Sequence, residues 1–188
     1  MPTHSTLQRK PFWAPVGLVA ASALAAALIM ALLAWLLVTA KSTTVIVVRE
    51  VEMTSSGGAD PALSPAGQSR AELLARMFGD AQLKNHVDAI YVSPTVGTRA
   101  TAQPLAARLG TTPIVVPQDD PRALARRVLR EHRGGRILVV AHGNAARDLA
   151  AALSGVSDIP SVLPTDFGTL YIVTVPRIGR ANLLSVDY

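Results

Sequence analysis

The chain has no cysteine, which excludes a disulfide framework and a lipid-modified cysteine anchor and fits an oxidising compartment. It also lacks a Gly-x-Ser-x-Gly elbow, a Gly-Lys-Ser/Thr phosphate loop and a dinucleotide-binding glycine pattern. The motifs of the α/β-hydrolases, the P-loop nucleotide hydrolases and the Rossmann enzymes are therefore missing. There is no internal repeat, and the one biased stretch is an Ala/Leu-rich segment near the start. Charge is lacking where its absence says most. Residues 11–40 hold no Asp, Glu, Lys or Arg, in a chain whose apolar share, 49%, is high for a soluble protein of 188 residues.

Residues 16–40 are almost continuously apolar. As a helix, about 25 residues rise about 37 Å, enough to cross a hydrocarbon layer of about 30 Å. Two readings compete for this segment. Val38, Thr39 and Ala40 suit a signal peptidase, and Arg9 with Lys10 makes a positive leading region. Secretory apolar cores are shorter, about 7–15 residues, so the length predicts an uncleaved signal anchor over residues 13–40, preceded by a tail at 1–12. Arg9, Lys10 and the terminal amine come before the helix and only Lys41 immediately after it, so the positive-inside tendency puts the tail in the cytoplasm. The expectation is a single-pass inner-membrane protein of a Gram-negative bacterium, held in the lipid bilayer by residues 13–40, with its C-terminal domain in the periplasm. Trp13 and Trp35 suit interfacial anchors or plain apolar filling. Ala21, Ala25 and Ala31 are small enough to pack against another span.

Residues 41–188 make one ordinary domain, long enough to bury roughly two thirds of its unfolded surface. The β-branched run at 44–48 predicts a buried parallel strand, and 55–61 a loop. Ser64-Pro65 has the form of an N-cap followed by proline in the first turn, opening a helix through Ala71, Leu74, Ala75 and Phe78 that stops at Gly79. A strand at 89–92, a helix at 98–109 closed by Gly110 and a short strand at 113–116 follow. Asp120-Pro121 repeats the cap signature and starts a helix to about residue 132. Gly134-Gly135 then breaks the chain before a strand at 136–141, a helix at 145–153 and strands at 169–175 and 181–187. This alternation predicts an α/β fold, a three-layer parallel-type sheet with helices on both faces.

The formal charge of +5 is a small surplus, and no nucleic-acid partner is expected from it. Arg122, Arg126, Arg127, Arg130, Arg133 and Arg136 cluster, with Arg122, Arg126 and Arg130 on one helical face. That is a solvated face or a surface for an anionic lipid or polyanion.

Four segments carry a resemblance in order. An apolar strand ends in Val-Arg49-Glu50-Val-Glu52. The second segment, 57–67, closes on Leu63-Ser64-Pro65-Ala66-Gly67. The third runs from Tyr91-Val92-Ser93-Pro94 to Thr101-Ala102, and the fourth is Val139-Val140-Ala141-His142-Gly143-Asn144. Together they resemble the histidine phosphatase (phosphoglycerate mutase-like) superfamily across 44–187. The resemblance implies a cationic pocket at the carboxyl ends of parallel strands, where two histidines and two arginines surround a phosphoryl group and one histidine attacks phosphorus. It implies no cofactor and no metal, and a phosphate-containing or other anionic small molecule as ligand.

Carried over by position, the chain keeps Arg49 as a phosphate ligand and His142 as the second histidine, and departs twice. Glu50 stands where the nucleophilic histidine belongs, and Gly97 where the second arginine belongs. Arg99 is two residues away, about 200° around a helix, and is a secondary candidate for phosphate binding, as is Asn144. A carboxylate about 4 Å from a phosphate charge costs about 4 kcal/mol at an effective dielectric near 20. The expectation is an inactive or impaired pseudophosphatase serving as a binding module. The alternative is an active phosphomonoester phosphatase with a rewired site that uses His142 and Arg49.

Glu50 has several readings beside these. It can close an ion pair with His142 and Arg49 in place of phosphate, form an acid–base pair with His142, or join Glu52 and His142 around a metal. Asp119 and Asp120 lie where a proton donor would be sought, with helix capping the simpler role for Asp120. Ser93 suits a strand-end turn or an oxyanion contact. Asn144 is expected to cap the helix after His142. His4, His86 and His132 are scattered and expected to be exposed.

Overall fold

The computed structural model describes residues 13–38, 41–54, 62–80, 86–160 and 167–188. Arg9, Lys10 and His4, the Thr39-Ala40 pair and the loop expected at 55–61 lie outside them. The chain divides into two compact units, Met1–Ala40 and Lys41–Tyr188.

The first unit holds one helix, α1 (Trp13–Val38). Its stretch Gly17–Trp35 has a mean hydropathy of 2.4, and none of it is buried within the protein. By length and composition it can cross a membrane.

The second unit is a six-stranded mixed sheet with two helices on each face. In chain order it runs β1 (Thr43–Arg49), α2 (Pro65–Phe78), β2 (Ala89–Val92), α3 (Val96–Leu109), β3 (Ile114–Val115), α4 (Pro121–Glu131), β4 (Arg136–Ala141), α5 (Ala145–Ser154), β5 (Thr169–Val175) and β6 (Asn182–Asp187). The strand order is β3-β2-β4-β1-β5-β6. From β3 to β1 all pairings are parallel, whereas β5 pairs antiparallel with β1 and β6 antiparallel with β5. The expected parallel-type sheet thus describes four strands. Of the last two, β5 runs against β1, and β6 pairs antiparallel with β5 because a short link, residues 176–181, joins them as a hairpin.

Period two explains why β1 is apolar without interruption. Val45 and Val47 pack into one core cluster with Leu124, Val128, Leu149 and Leu153 of α4 and α5. Ile46 and Val48 point the other way, into a second cluster with Leu74, Ala75, Leu105 and Ala106 of α2 and α3. Each face of the central strands is therefore covered, and the strand ends are what remain open for chemistry.

The capping signals act as expected at two helices. Ser64 accepts a hydrogen bond from the Gly67 amide at 3.0 Å, and Asp120 accepts one from the Ala123 amide at 2.9 Å. Gly67 is also needed for space, since a Cβ there would stand 2.2 Å from the Glu52 carbonyl oxygen. Helix α3 starts at Val96, two residues before the expected start, because Thr95 caps it through its hydroxyl.

Candidate active site

The parallel pairing of β1 with β4 sets Arg49 opposite Ala141, and the ladder continues one step further through the Glu50 amide, which donates to the Ala141 carbonyl at 2.9 Å. The residues that follow, Glu50 and His142, are brought side by side at the carboxyl ends of the two central strands. This is the place where open α/β sheets bind ligands.

There the Glu50 Oε1 atom makes a short contact with His142 Nδ1. The two partners are unequally exposed, the Glu50 side chain at 10% and the His142 side chain at 66%. The second oxygen, Oε2, faces the start of α3. Thr95 Oγ1 donates to it at 3.5 Å, the outer limit of a hydrogen bond. A Cβ on residue 97 would stand 2.6 Å from the same oxygen and 3.2 Å from Met53 Sδ. The carboxylate therefore fills the room that a side chain at position 97 would need.

Behind Glu50, the buried Ser93 and Thr98 hydroxyls lie 2.9 Å apart and each lies within 3.1 Å of the Thr95 hydroxyl. Thr101 Oγ1 accepts from the Val51 amide at 3.2 Å and donates to the Gly97 carbonyl at 2.7 Å. Thr101 thus fastens the chain after Glu50 to the first turn of α3. This cluster follows no charge or metal-ligand pattern. Its sequence signal was the helix-start form of Thr95, one turn upstream of the expected start.

Arg49 sits at the end of β1 with its guanidinium carbon 4.8 Å from the centre of the Phe167 ring, a cation–π contact. Phe167 had no signal in the sequence. Glu52 does not join Glu50 and His142. Its Oε1 accepts from Arg70 Nε at 2.8 Å, and Arg70 also donates to the Tyr188 carbonyl at 2.7 Å. Among the described residues no group of three or more His, Cys, Asp or Glu side chains could hold a metal ion.

Six further candidates are placed elsewhere or differently. Arg99 is exposed and lines a cavity between α3 and β3, with Val92, Val96 and Val115, so it is not gathered with Glu50 and His142. Asp119 lines another cavity beside α4 and α5, as does Asp120 outside its capping bond. Asn144 occupies the N-cap position of α5 but makes no capping hydrogen bond, because its backbone is already helical (φ −78°, ψ −8°) and turns the side chain away from the first amides. His132 is half-buried rather than exposed. Its Nε2 lies 2.9 Å from the Tyr91 hydroxyl, which donates to Glu131 at 2.8 Å. His86 is also half-buried, 3.4 Å from Asp88.

The sequence model of the histidine phosphatase superfamily (branch 1) matches residues 46–119, which includes Arg49, Glu50 and Gly97 and stops short of His142. A comparison with curated proteins by sequence gives no match. Solved structures do match. The protein histidine phosphatase SixA, complexed with tungstate, is similar at 15% identity over 77% of this chain and 96% of its own, with a TM-score of 0.61. Mycobacterial glucosyl-3-phosphoglycerate phosphatase is similar at 15% identity over 79% and 99%, with a TM-score of 0.55. A phosphoserine phosphatase mutant from Entamoeba histolytica, in complex with phosphoserine, is similar at 17% identity over 77% and 96%, also with a TM-score of 0.55. Lys41–Tyr188 has a histidine phosphatase-like fold, and residues 46–119 of it match the sequence model of that superfamily.

Proposed function

We propose that the chain is a membrane-anchored pseudophosphatase, a histidine phosphatase-like domain used as a binding module and tethered by α1. One observation carries the reading. The Glu50 carboxylate, at the position where the resemblance expects the nucleophile, engages His142 through Oε1 and fills the space above Gly97 through Oε2. A negative group among the residues that a phosphoryl group would face weakens phosphomonoester binding, and position 50 carries no histidine for attack. Neighbours of the same fold in complex with tungstate and with phosphoserine support a small anion as the ligand class. For α1, the supporting facts are its length, its apolar composition and its lack of burial. The flanking cations favour the inner membrane with the domain in the periplasm.

The test is hydrolysis of an aryl phosphate by the full chain, beside His142→Ala and the Glu50→His/Gly97→Arg double variant. Turnover by the double variant alone supports a pseudophosphatase with an intact scaffold. Turnover by the natural chain that disappears in His142→Ala overturns the reading.

The same pair supports a second reading. A carboxylate on Nδ1 fixes the ring and leaves His142 Nε2 toward solvent, the arrangement of an oriented base or nucleophile. With Arg49 as oxyanion ligand this is a rewired phosphatase. A phosphorylated histidine trapped from radiolabelled phosphomonoester, and lost in His142→Ala, would establish it.

A further inference from the structure

The end of the sheet opposite Glu50 and His142 carries an unusual surface. At the amino ends of the parallel strands, Thr43 pairs with Val175 and Thr44 with Arg136, and the Thr43 hydroxyl accepts from the Gly134 amide at 3.0 Å. The β5–β6 hairpin therefore turns over at this end, since Thr174 pairs with Asn182 across it. Its turn reads Pro176-Arg177-Ile178-Gly179-Arg180, with Arg177 through Arg180 all exposed.

Ile178 is 72% exposed. The other exposed large apolar side chains of the domain, Met77, Val115, Val156 and Leu184, lie between 43 and 55%. An isoleucine held out at 72% exposure next to Arg177 at a hairpin tip is poorly explained by packing, since most of it meets no other side chain. The neighbouring surface is cationic. Lys41 lies against Gly134, and Arg133 is exposed beside it. Two acidic groups lie there: Asp88 is engaged by the Arg136 amide at 2.6 Å and faces His86 at 3.4 Å, and Glu131 accepts from Tyr91 and Arg127 at 2.8 and 3.0 Å.

The covalent chain brings a membrane to this end if α1 spans one. Val38 closes α1 and Thr43 opens β1. Five residue steps reach at most roughly 18 Å when fully extended.

We propose that this end of the domain, through Ile178 with Arg177, Arg180, Arg133 and Lys41, rests on an anionic lipid surface. The inference depends on α1 being a membrane anchor. Ile178 enters the headgroup region and the cations face lipid phosphates, the pattern of interfacial segments that combine an apolar wedge with basic flanks. The consequence is functional. The Glu50–His142 end then points away from the bilayer and stays open to soluble ligands.

The chain has no cysteine, so a single introduced thiol reports one place. Ile178→Cys and, as the distant reference, Gln68→Cys at the start of α2 are labelled with an environment-sensitive fluorophore in the full chain. Each is reconstituted in vesicles of phosphatidylglycerol with phosphatidylcholine and in phosphatidylcholine alone. The expected result is quenching by spin-labelled lipid and protection from iodide at position 178 with phosphatidylglycerol present. Position 68 should show neither, and Arg177→Glu/Arg180→Glu should abolish both effects at 178. Equal iodide access at 178 and 68, in a chain that resists alkaline carbonate extraction, overturns the lipid contact and leaves the anchor intact. Protection from iodide without lipid quenching also overturns it, in favour of a protein contact. Extraction of the chain by carbonate instead overturns the anchor on which the inference rests.

Discussion

Glu50 and Gly97 share one space. A Cβ at residue 97 would stand 2.6 Å from Glu50 Oε2, while Oε1 of the same carboxylate is engaged by His142. The carboxylate that reaches His142 thus occupies the room beside Gly97, so a side chain at 97 requires Glu50 Oε2 to move.

A double-mutant cycle follows from this. In a Glu50→Ala background, Gly97→Ala should stabilise the chain by about 0.5–1 kcal/mol, the ordinary gain of alanine over glycine within a helix. In the natural background the same change must shift Glu50 Oε2, and the gain should vanish or reverse. The expected coupling is about 1–2 kcal/mol, measured by denaturant unfolding of the four proteins. Equal effects in both backgrounds would show that the two positions do not share space.

Glu50→Gln keeps the shape of the side chain and removes its charge. Repulsion between one carboxylate and one phosphate charge at about 4 Å is about 4 kcal/mol at an effective dielectric near 20, an upper figure here because His142 beside it is solvated. Glu50→Gln should therefore bind inorganic phosphate or tungstate at least about tenfold more tightly than the natural chain. Isothermal titration measures this directly. An unchanged affinity would place oxyanion binding away from Glu50.

The contrast between what was legible and what was not is physical. Strand positions were legible because β1 and β4 are buried on both faces and so must be apolar throughout. Helix starts at Ser64 and Asp120 were legible because capping is a local, side-chain-to-backbone bond. The antiparallel run of β5 was not, because strand direction is decided by neighbours distant in sequence. The pairing of Glu50 with His142 followed from the resemblance. The contact of Glu50 with Gly97 did not, since it depends on the rotamer of one buried carboxylate. Phe167 beneath Arg49 and the Tyr91–Glu131–His132 group likewise arise from tertiary placement and leave no spacing to read.

The helix starts differ in how much their first residues matter. Asp120 bonds the Ala123 amide, so Asp120→Ala should cost about 1 kcal/mol, within the usual 0.5–2. Asn144 makes no such bond, so Asn144→Ala should stay within about 0.5 kcal/mol of the natural chain. Thermal unfolding of both variants checks the ordering. A larger loss at Asn144 would mean that its side chain is engaged in solution.

Tyr91 and Tyr188 should govern stability at high pH. Burial, followed by the hydrogen bond to Glu131 and that carboxylate's charge, pushes the Tyr91 phenol up to about 12, with Arg127 acting in the opposite sense. Burial likewise pushes Tyr188 up to about 12, with Arg70 lowering and Glu52 raising it. An unfolded tyrosine ionises near about 10. For an acid whose folded pKa is raised, the stability contribution is complete below the unfolded value and is lost as pH rises through the folded one. The window is therefore from about 10 to about 12, where the unfolded chain releases protons that the folded chain retains. Tyr91→Phe removes the group that must ionise, so its alkaline unfolding midpoint should lie above that of the natural chain. Near neutral pH the same variant should be slightly less stable, because Glu131 and His132 lose the phenol they contact. The two stability curves should cross above pH about 10. Parallel curves followed by phenolate absorbance and circular dichroism would show that Tyr91 ionises in the folded protein as freely as in the unfolded one.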